Sequence, residues 1–267
     1  MAKKAAIIIP FYRSTVSDYE KIALQQCGKV LHAHTKIAIK PAGLTLPDEA
    51  KLVNFSETVT FDDDYFKGVE GYNRLMLSSE FYGRFLDYEY ILVYQMDCFV
   101  FKDELNYWCT QNWDYIGAPW IKKTYHKNAL ELAFLKIKRY FATTFNKTEA
   151  DIPNQYRLEN KVGNGGFSLR RVEKFYNICI LMKPVIDSYL SQAIHWYNED
   201  VFWSIEVNQQ QNVLNIPDYH AGLRFAFETP PLKNSLLNEK NIPFGCHDWD
   251  HFADYWRPIF KNYGYDI

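Results

Sequence analysis

Three features of the sequence predict an α/β fold. A short, continuously apolar and β-branched run, Ala5-Ala6-Ile7-Ile8-Ile9, is followed by a helix-start signal and then by a second short apolar run. A stronger run of the same kind, Tyr90-Ile91-Leu92-Val93-Tyr94, leads directly into Gln95-Met96-Asp97. No internal repeat and no Gly/Ser/Pro linker divides the 267 residues, so the chain is expected to form a single domain.

The elements follow in order. Ala5–Ile9 reads as a buried strand, with Pro10-Phe11-Tyr12-Arg13 as the loop at its carboxyl end. Ser17-x-x-Glu20 is a capping box, in which serine and glutamate satisfy each other's backbone amides at a helix start. The helix it opens carries Tyr19, Ile22, Ala23, Cys27, Val30 and Leu31 as apolar candidates. Lys36–Ile39 and Thr58–Phe61 read as the second and third strands, which makes strand–helix–strand the opening of a sheet. A helix is expected over about 71–86, with Leu75, Phe81, Tyr82 and Phe85 inward. Tyr90–Tyr94 is the next strand.

The second half is less regular. Trp113–Trp120 is an aromatic loop, and Val162-Gly163-Asn164-Gly165-Gly166-Phe167-Ser168-Leu169-Arg170 is a glycine turn entering a strand or helix. Residues 121–147 hold seven Lys/Arg against one acid, Glu131, beside apolar Leu130, Phe134, Ile137, Tyr140 and Phe141. This pattern fits a basic amphipathic helix that meets an acceptor at a membrane surface, or a helix packed on the core with solvated lysines. Two functional halves are expected, about 1–105 and about 106–267.

Composition narrows the classes. Apolar residues are 48% and charged residues 23%, so the chain is globular rather than disordered. A net charge of -2 gives no basic footprint, and no nucleic-acid partner is expected. Aromatic residues reach 17%, which suits a large core and also a sugar-binding surface. Five scattered cysteines, 27, 98, 109, 179 and 246, form neither a zinc knuckle nor a disulfide framework, which fits a reducing, cytoplasmic compartment. The apolar stretch after Met1-Ala-Lys-Lys ends at Pro10, short of a signal-peptide core, and no run approaches the length of a membrane span. At most peripheral membrane contact is expected.

Four constellations could carry chemistry. Ligands gather beyond the carboxyl ends of strands in open α/β sheets, where both Pro10–Arg13 and Asp97 lie. Asp97 in an apolar run needs a partner or a metal unless it caps a turn. Gly163-Asn164-Gly165-Gly166 matches neither the dinucleotide fingerprint nor the P-loop, so it is a tight turn or a close backbone approach to a ligand. Glu199-Asp200 lies among aromatics. A poorly solvated carboxylate there gains proton affinity and becomes a usable general base; the alternative is an acidic pair at a helix N-terminus. Adjacent acids point apart, so at most one faces a given site. His247 beside Cys246 becomes a ligand candidate if Asp97 needs a second one, because imidazole with carboxylate suits Mn²⁺.

In order, these pieces resemble a nucleotide-sugar glycosyltransferase of the GT-A type. The closest resemblance is to a bacterial domain family once listed as of unknown function. The carrying residues are Tyr72–Met76, Phe81-Tyr82, Tyr94–Asp97, Tyr115–Trp120, Val162–Arg170, Asn198–Asp200 and Pro243–His247. The resemblance implies a GT-A-like, mixed, mostly parallel sheet flanked by helices. It implies a donor, UDP-linked as in most of the resembling group, and a glycan or lipid-linked saccharide acceptor. Pro10, Tyr12, Arg13 and Asn73 would hold the nucleotide, with Tyr12 stacking on the base. Asp97 takes the place of the D-x-D motif, and Gly165-Gly166 that of the segment lining the donor sugar. Asp200 would be the general base of an inverting transfer with Glu199 supporting it, or the roles would be reversed. Asp97 and His247 would share Mn²⁺ or Mg²⁺. The motif departs in one place: Asp97-Cys98-Phe99 lacks the second acid. That leaves open a metal-free mechanism, and a non-catalytic binder of carbohydrate or nucleotide sugar as the alternative function. A nucleotidylyltransferase would need glycine in the loop after the first strand, where Pro10–Arg13 has none.

Overall fold

The computed structural model describes residues 3–121, 133–134, 136–138, 140–141, 148–149, 152–153, 155–192, 197–230 and 242–267. Its strands are β1 (Lys3–Pro10), β2 (Thr35–Pro41), β3 (Glu57–Phe61), β4 (Tyr88–Tyr94), β5 (Phe99–Val100), β6 (Tyr115–Gly117), β7 (Pro119–Trp120), β8 (Thr148–Glu149), β9 (Ile152–Pro153), β10 (Lys161–Val162), β11 (Phe167–Arg171), β12 (Ala226–Phe227) and β13 (Gly245–Cys246). The helices used below are α1 (Asp18–Val30), α2 (Gly68–Met76), α3 (Ser79–Gly83), α4 (Leu105–Thr110), α5 (Val172–Leu181), α6 (Lys183–Leu190), α7 (Glu199–Ser204), α8 (Tyr219–Phe225) and α9 (Ala253–Lys261).

The central sheet runs β3-β2-β1-β4-β11-β6. The first four strands are mutually parallel, and β11 is antiparallel to both β4 and β6. Strand order reverses between β1 and β4, the position where a crevice opens at the carboxyl edge of such a sheet. Because β11 runs backwards, it starts at that edge, with Phe167 paired to Tyr94. The glycine segment before β11 therefore meets the ends of β1 and β4.

Alternate residues of β1 and β4 enter different cores. Ile7, Ile9, Leu92 and Tyr94 pack on one face, and Ala6, Ile8 and Ile91 on the other. Both faces are covered, which is why these strands are apolar without alternation. A third cluster joins Phe99, Phe101, Phe227, Cys246, Trp249, Trp256 and Phe260. It secures the small β12-β13-β5 sheet, so the chain after Asp97 lies against the C-terminal segment that bears His247. Trp203, Trp249 and Trp256 are fully buried, so much of the aromatic content is core.

The capping box forms as expected, with Glu20 N–H donating to Ser17 Oγ and Ser17 N–H to Glu20 Oε2. One expected helix divides. The stretch over 71–86 is two helices, α2 and α3, because Ser78 leaves helical geometry and caps a new start by accepting from Phe81 N–H. All five cysteines are buried and unbridged. No helix among the described residues is long and apolar enough to cross a membrane. Most of the basic stretch 121–147 lies outside the described residues; within it, positions 133–134, 136–138 and 140–141 are helical. Phe134, Ile137, Tyr140 and Phe141 are exposed there.

Candidate active site

A cavity of about 530 Å³ opens at the switch point, where Tyr12 follows β1 and Gln95 follows β4. The wall on the α2 side is Phe66, Val69, Tyr72 and Asn73; the opposite wall is Asn164, Gly165, Gly166 and His247; and Asn198, Glu199 and Asp200 close the end. Larger clefts lie elsewhere, one between α6 and the Glu206–Val213 stretch, but none of the expected site residues lines it.

The structure thus gathers Tyr12, Asn73, Gly165, Gly166, Glu199, Asp200 and His247 around one space, with Asp97 just behind His247. Pro10 and Arg13 are not in the lining. Pro10 is the buried last residue of β1, and the Arg13 guanidinium turns away to an ion pair with Glu20 at 2.6 Å. The Tyr12 ring borders the cavity and meets the rings of Phe66 and Tyr72 edge-on, at 6.0 and 6.1 Å. The Tyr72 hydroxyl is buried and has no hydrogen-bond partner. Asn73 lines the cavity, but both ends of its amide serve α7: Oδ1 accepts from Glu199 N–H at 3.0 Å, and Nδ2 donates to Asn198 Oδ1 at 3.3 Å.

Glu199 and Asp200 do open a helix, as the acidic-pair alternative expected, and they diverge as adjacent residues must. Glu199 faces Arg170, which is fully buried. The guanidinium donates to Glu199 Oε1 at 3.0 Å and Oε2 at 3.1 Å, to the Tyr82 hydroxyl at 2.9 Å, to Ser168 Oγ at 3.0 Å and to the Gly165 carbonyl at 3.2 Å. All five N–H bonds of the fork have acceptors. Burial alone would lower the Arg170 pKa, but Glu199 beside it holds it well above the usual arginine value. Removing one partner of such a pair strands a buried charge, at about 3–5 kcal/mol.

Among the described residues, no such cation is in contact with Asp200. Burial first, then the neighbouring Glu199 and Glu228 carboxylates, push its pKa up to about 8, against a weaker downward pull from the Val201 amide and Arg170. A carboxyl in that range gains and loses its proton just above neutral pH.

The other polar group is at the β4 end. His247 Nε2 lies 3.0 Å from Gln95 Oε1 and 3.2 Å from Asp97 Oδ1. The Asp97 contact is within ion-pair reach but is not aligned as a hydrogen bond, so the buried Oδ1 stays unpartnered, as does His247 Nδ1. Burial raises the Asp97 carboxyl, but the His247 imidazole outweighs it and holds the pKa below the usual value. For His247, burial lowers the pKa, but Asp97, followed by Glu228 and Asp248, outweighs it and raises it. Asp97 carboxylate and His247 imidazole atoms belong to a group lying within 4.8 Å of one another that could hold a divalent cation. The Cys98 thiol also falls in this group, but it donates to the Gly166 carbonyl at 3.2 Å, and burial pushes its pKa well above normal, so it stays protonated.

The two glycines have distinct reasons. A Cβ at Gly165 would collide with Glu199 Oε1 and come within 3.0 Å of Arg170 Nη2. At Gly166 it would overlap the His247 ring and lie 2.7 Å from Gln95 Oε1. Asn164 fixes the segment, accepting from Gly166 N–H through Oδ1 and donating from Nδ2 to Glu228 Oε1, both at 3.0 Å.

Sequence reasoning assigned no role to Gln95, Tyr72, Asn164, Arg170 or Glu228. Arg170 did carry a signal, a charge inside the apolar strand Phe167–Leu169, which requires a buried acid. Glu228 carried none, because only the β12–β13 pairing brings it near His247.

The fold is that of GT-A glycosyltransferases. Core-mannan synthase A from Aspergillus fumigatus, in its Mn/GDP form, superposes with a TM-score of 0.51 at 10% identity, over 77% of this chain and 69% of that one. Mouse xyloside xylosyltransferase 1, in its apo form, gives a TM-score of 0.51 at 9% identity, over 92% and 97%. At such identities the likeness is one of fold. The chain belongs to the family described as "Protein of unknown function (DUF5672)", whose profile matches residues 55–247. No curated protein matches the sequence.

Proposed function

We propose that this protein is an inverting glycosyltransferase that moves a sugar, a hexose, from a nucleoside diphosphate donor, UDP-linked, to a hydroxyl of a saccharide acceptor. The observation that carries this is an opposition of chemistry within one cavity. Asp200, with its raised proton affinity, stands at one end, and the Asp97–His247 pair stands beyond Gly166.

Tyr12 and the aromatic wall formed with Phe66 and Tyr72 would take the base. Gly165 and Gly166 line the cavity and would border the donor sugar. Asp97 and His247 would hold Mn²⁺ or Mg²⁺, with Gln95 Oε1 beside them. When bound, the ion supplies the positive charge that a departing diphosphate needs. Asp200 takes the proton of the acceptor hydroxyl, whose oxygen bonds to the anomeric carbon from the face opposite the leaving group. The anomeric C–O bond to the diphosphate breaks, and its electron pair leaves on the phosphate oxygen. Glu199 is engaged through both carboxylate oxygens by Arg170 and has a supporting role.

The exposed Phe134, Ile137, Tyr140 and Phe141, within the basic stretch, support a lipid-linked acceptor met by peripheral contact at the inner face of a membrane, the protein itself being cytoplasmic. The test of the transferase reading is release of nucleoside diphosphate from a panel of UDP-, GDP- and CMP-sugars with Mn²⁺ and saccharide acceptors, CMP donors serving as the monophosphate control. Asp200→Asn should retain donor binding and lose about 10²–10⁴-fold in rate. Full transfer by that variant would refute the assignment.

A further inference from the structure

We propose that Arg170, with Glu199, is a positioning unit that locks the donor-side glycine segment and the acceptor-side Asp200 into one rigid body. The proposal deepens the transferase reading and rests on it. Arg170 touches neither substrate space nor reacting atoms; it is fully buried on β11. One guanidinium nitrogen binds both the Gly165 carbonyl and Glu199 Oε1, so the same group holds the glycine turn and the first turn of α7. The second terminal nitrogen binds Glu199 Oε2 and the Tyr82 hydroxyl, fixing both to α3. From the cavity side, Asn73 on α2 clamps the same helix start through Glu199 N–H. Asp200 is the next residue, so its direction into the cavity is set by Glu199 being tied down.

The geometry is also exclusive. Gly165 must be glycine because Glu199 and Arg170 occupy the space of a side chain. A lock of this sort serves transfer, since the donor sugar on Gly165 and the base on α7 must be in register when the bond changes partners. Misplacement by about 1 Å at a reacting centre costs on the order of 10²-fold in rate.

Two variants test it. Arg170→Lys keeps the charge against Glu199 but loses the planar fork, so it cannot hold Glu199 and Gly165 together. It should stay folded, with kcat lowered tenfold or more and donor KM changed by less than threefold. Glu199→Gln removes the carboxylate next to Asp200. Among the described residues, the charged and titratable groups facing Asp200 are Glu199 on its own helix, Glu228 after β12, Arg170 on β11, Tyr115 on β6 and Tyr189 on α6. With Glu199 neutral and Arg170 still cationic, the acidic limb of the kcat/KM profile should move to lower pH. A folded Arg170→Lys protein with unchanged kcat and an unchanged pH limb would overturn the proposal. Hydrogen exchange separates its failure from failure of the transferase reading. In Arg170→Lys, amides of 163–167 and 199–204 should lose protection together while β1 and β4 do not. Loss in one segment alone, or in neither, overturns the lock even if the wild-type protein turns over a donor. No turnover by the wild type with any donor overturns the transferase reading, and the positioning role with it.

Discussion

Asp200 should impose a measurable pH dependence on folding stability, and Asp200→Asn should remove it. In the unfolded chain the carboxyl titrates near its ordinary value of 3.8, and in the folded protein near 8. Between these values the native state holds a proton that the unfolded state has released, so stability falls as pH rises across that window. Each unit is worth about 1.36 kcal/mol, which sets a ceiling of about 6 kcal/mol for ionising Asp200 in place. Its side chain is partly reached by solvent, which lowers the realised penalty to about 2–4 kcal/mol. Asparagine keeps the shape of the neutral acid and cannot ionise. Part of that loss falls below pH 5, which leaves about 1–2 kcal/mol between pH 5 and pH 9; at about 2 °C per kcal/mol for a chain of this size, wild type should lose about 2–4 °C more than Asp200→Asn across that range. Thermal melts of both proteins across that range, in chelator so that no cation neutralises the site, decide it. Parallel melting curves would mean that Asp200 is an ordinary solvated carboxylate, and the general-base assignment would lose its physical basis.

Further expectations follow from the same geometry. His247 has a raised pKa, so its pairing with Asp97 contributes stability below pH 6.5 that is lost as pH rises through the folded value; His247→Asn should abolish that part of the wild-type profile. Chelation should lower the thermal shift produced by the donor in wild type, and Mn²⁺ should restore it in wild type but not in His247→Ala; an equal shift with and without chelator argues against a shared ion. Gly166→Ala must displace the His247 ring and should cost about 1–3 kcal/mol in stability along with donor binding, measured by melts with and without nucleotide sugar. Flotation with anionic liposomes should show salt-sensitive association that Phe134→Ser/Ile137→Ser weakens; no association at low salt removes the membrane-presented acceptor.

The sheet was legible where the sequence had one strong physical reason to be what it is. Ala5–Ile9 and Tyr90–Tyr94 are buried on both faces, so their runs are continuously apolar, and Ser17-x-x-Glu20 specifies a helix start by local bonding alone. The break between α2 and α3 was less visible, because a lone serine cap competes with an apolar pattern that continues through it. Part of the cavity was legible in its loops: Tyr12 follows β1 and Gly165-Gly166 precede β11, as strand-end and glycine positions suggested, whereas Glu199, Asp200 and His247 were tied to them only by the resemblance. Arg13 pairs with Glu20 instead of lining the cavity, a choice of partner that spacing alone does not reveal. Partners joined only by tertiary pairing were not legible. Arg170 with Glu199, Asn164 with Glu228, and Gln95 with His247 lie 29, 64 and 152 residues apart.

In the proposed reaction one cavity binds a nucleotide sugar and uses Asp200 to activate the acceptor. A paired measurement on wild type and Asp200→Asn tests it most directly: donor-induced melting shift and nucleoside diphosphate release, with Mn²⁺ and acceptor, across the donor panel. One donor at about 100 times its Kd should add roughly 2.7 kcal/mol of stability to both proteins. Only wild type should then release diphosphate at a substantial rate, with the variant slower by about 10²–10⁴-fold. Neither shift nor release with any donor at millimolar concentration, or equal release by both proteins, would contradict the claim.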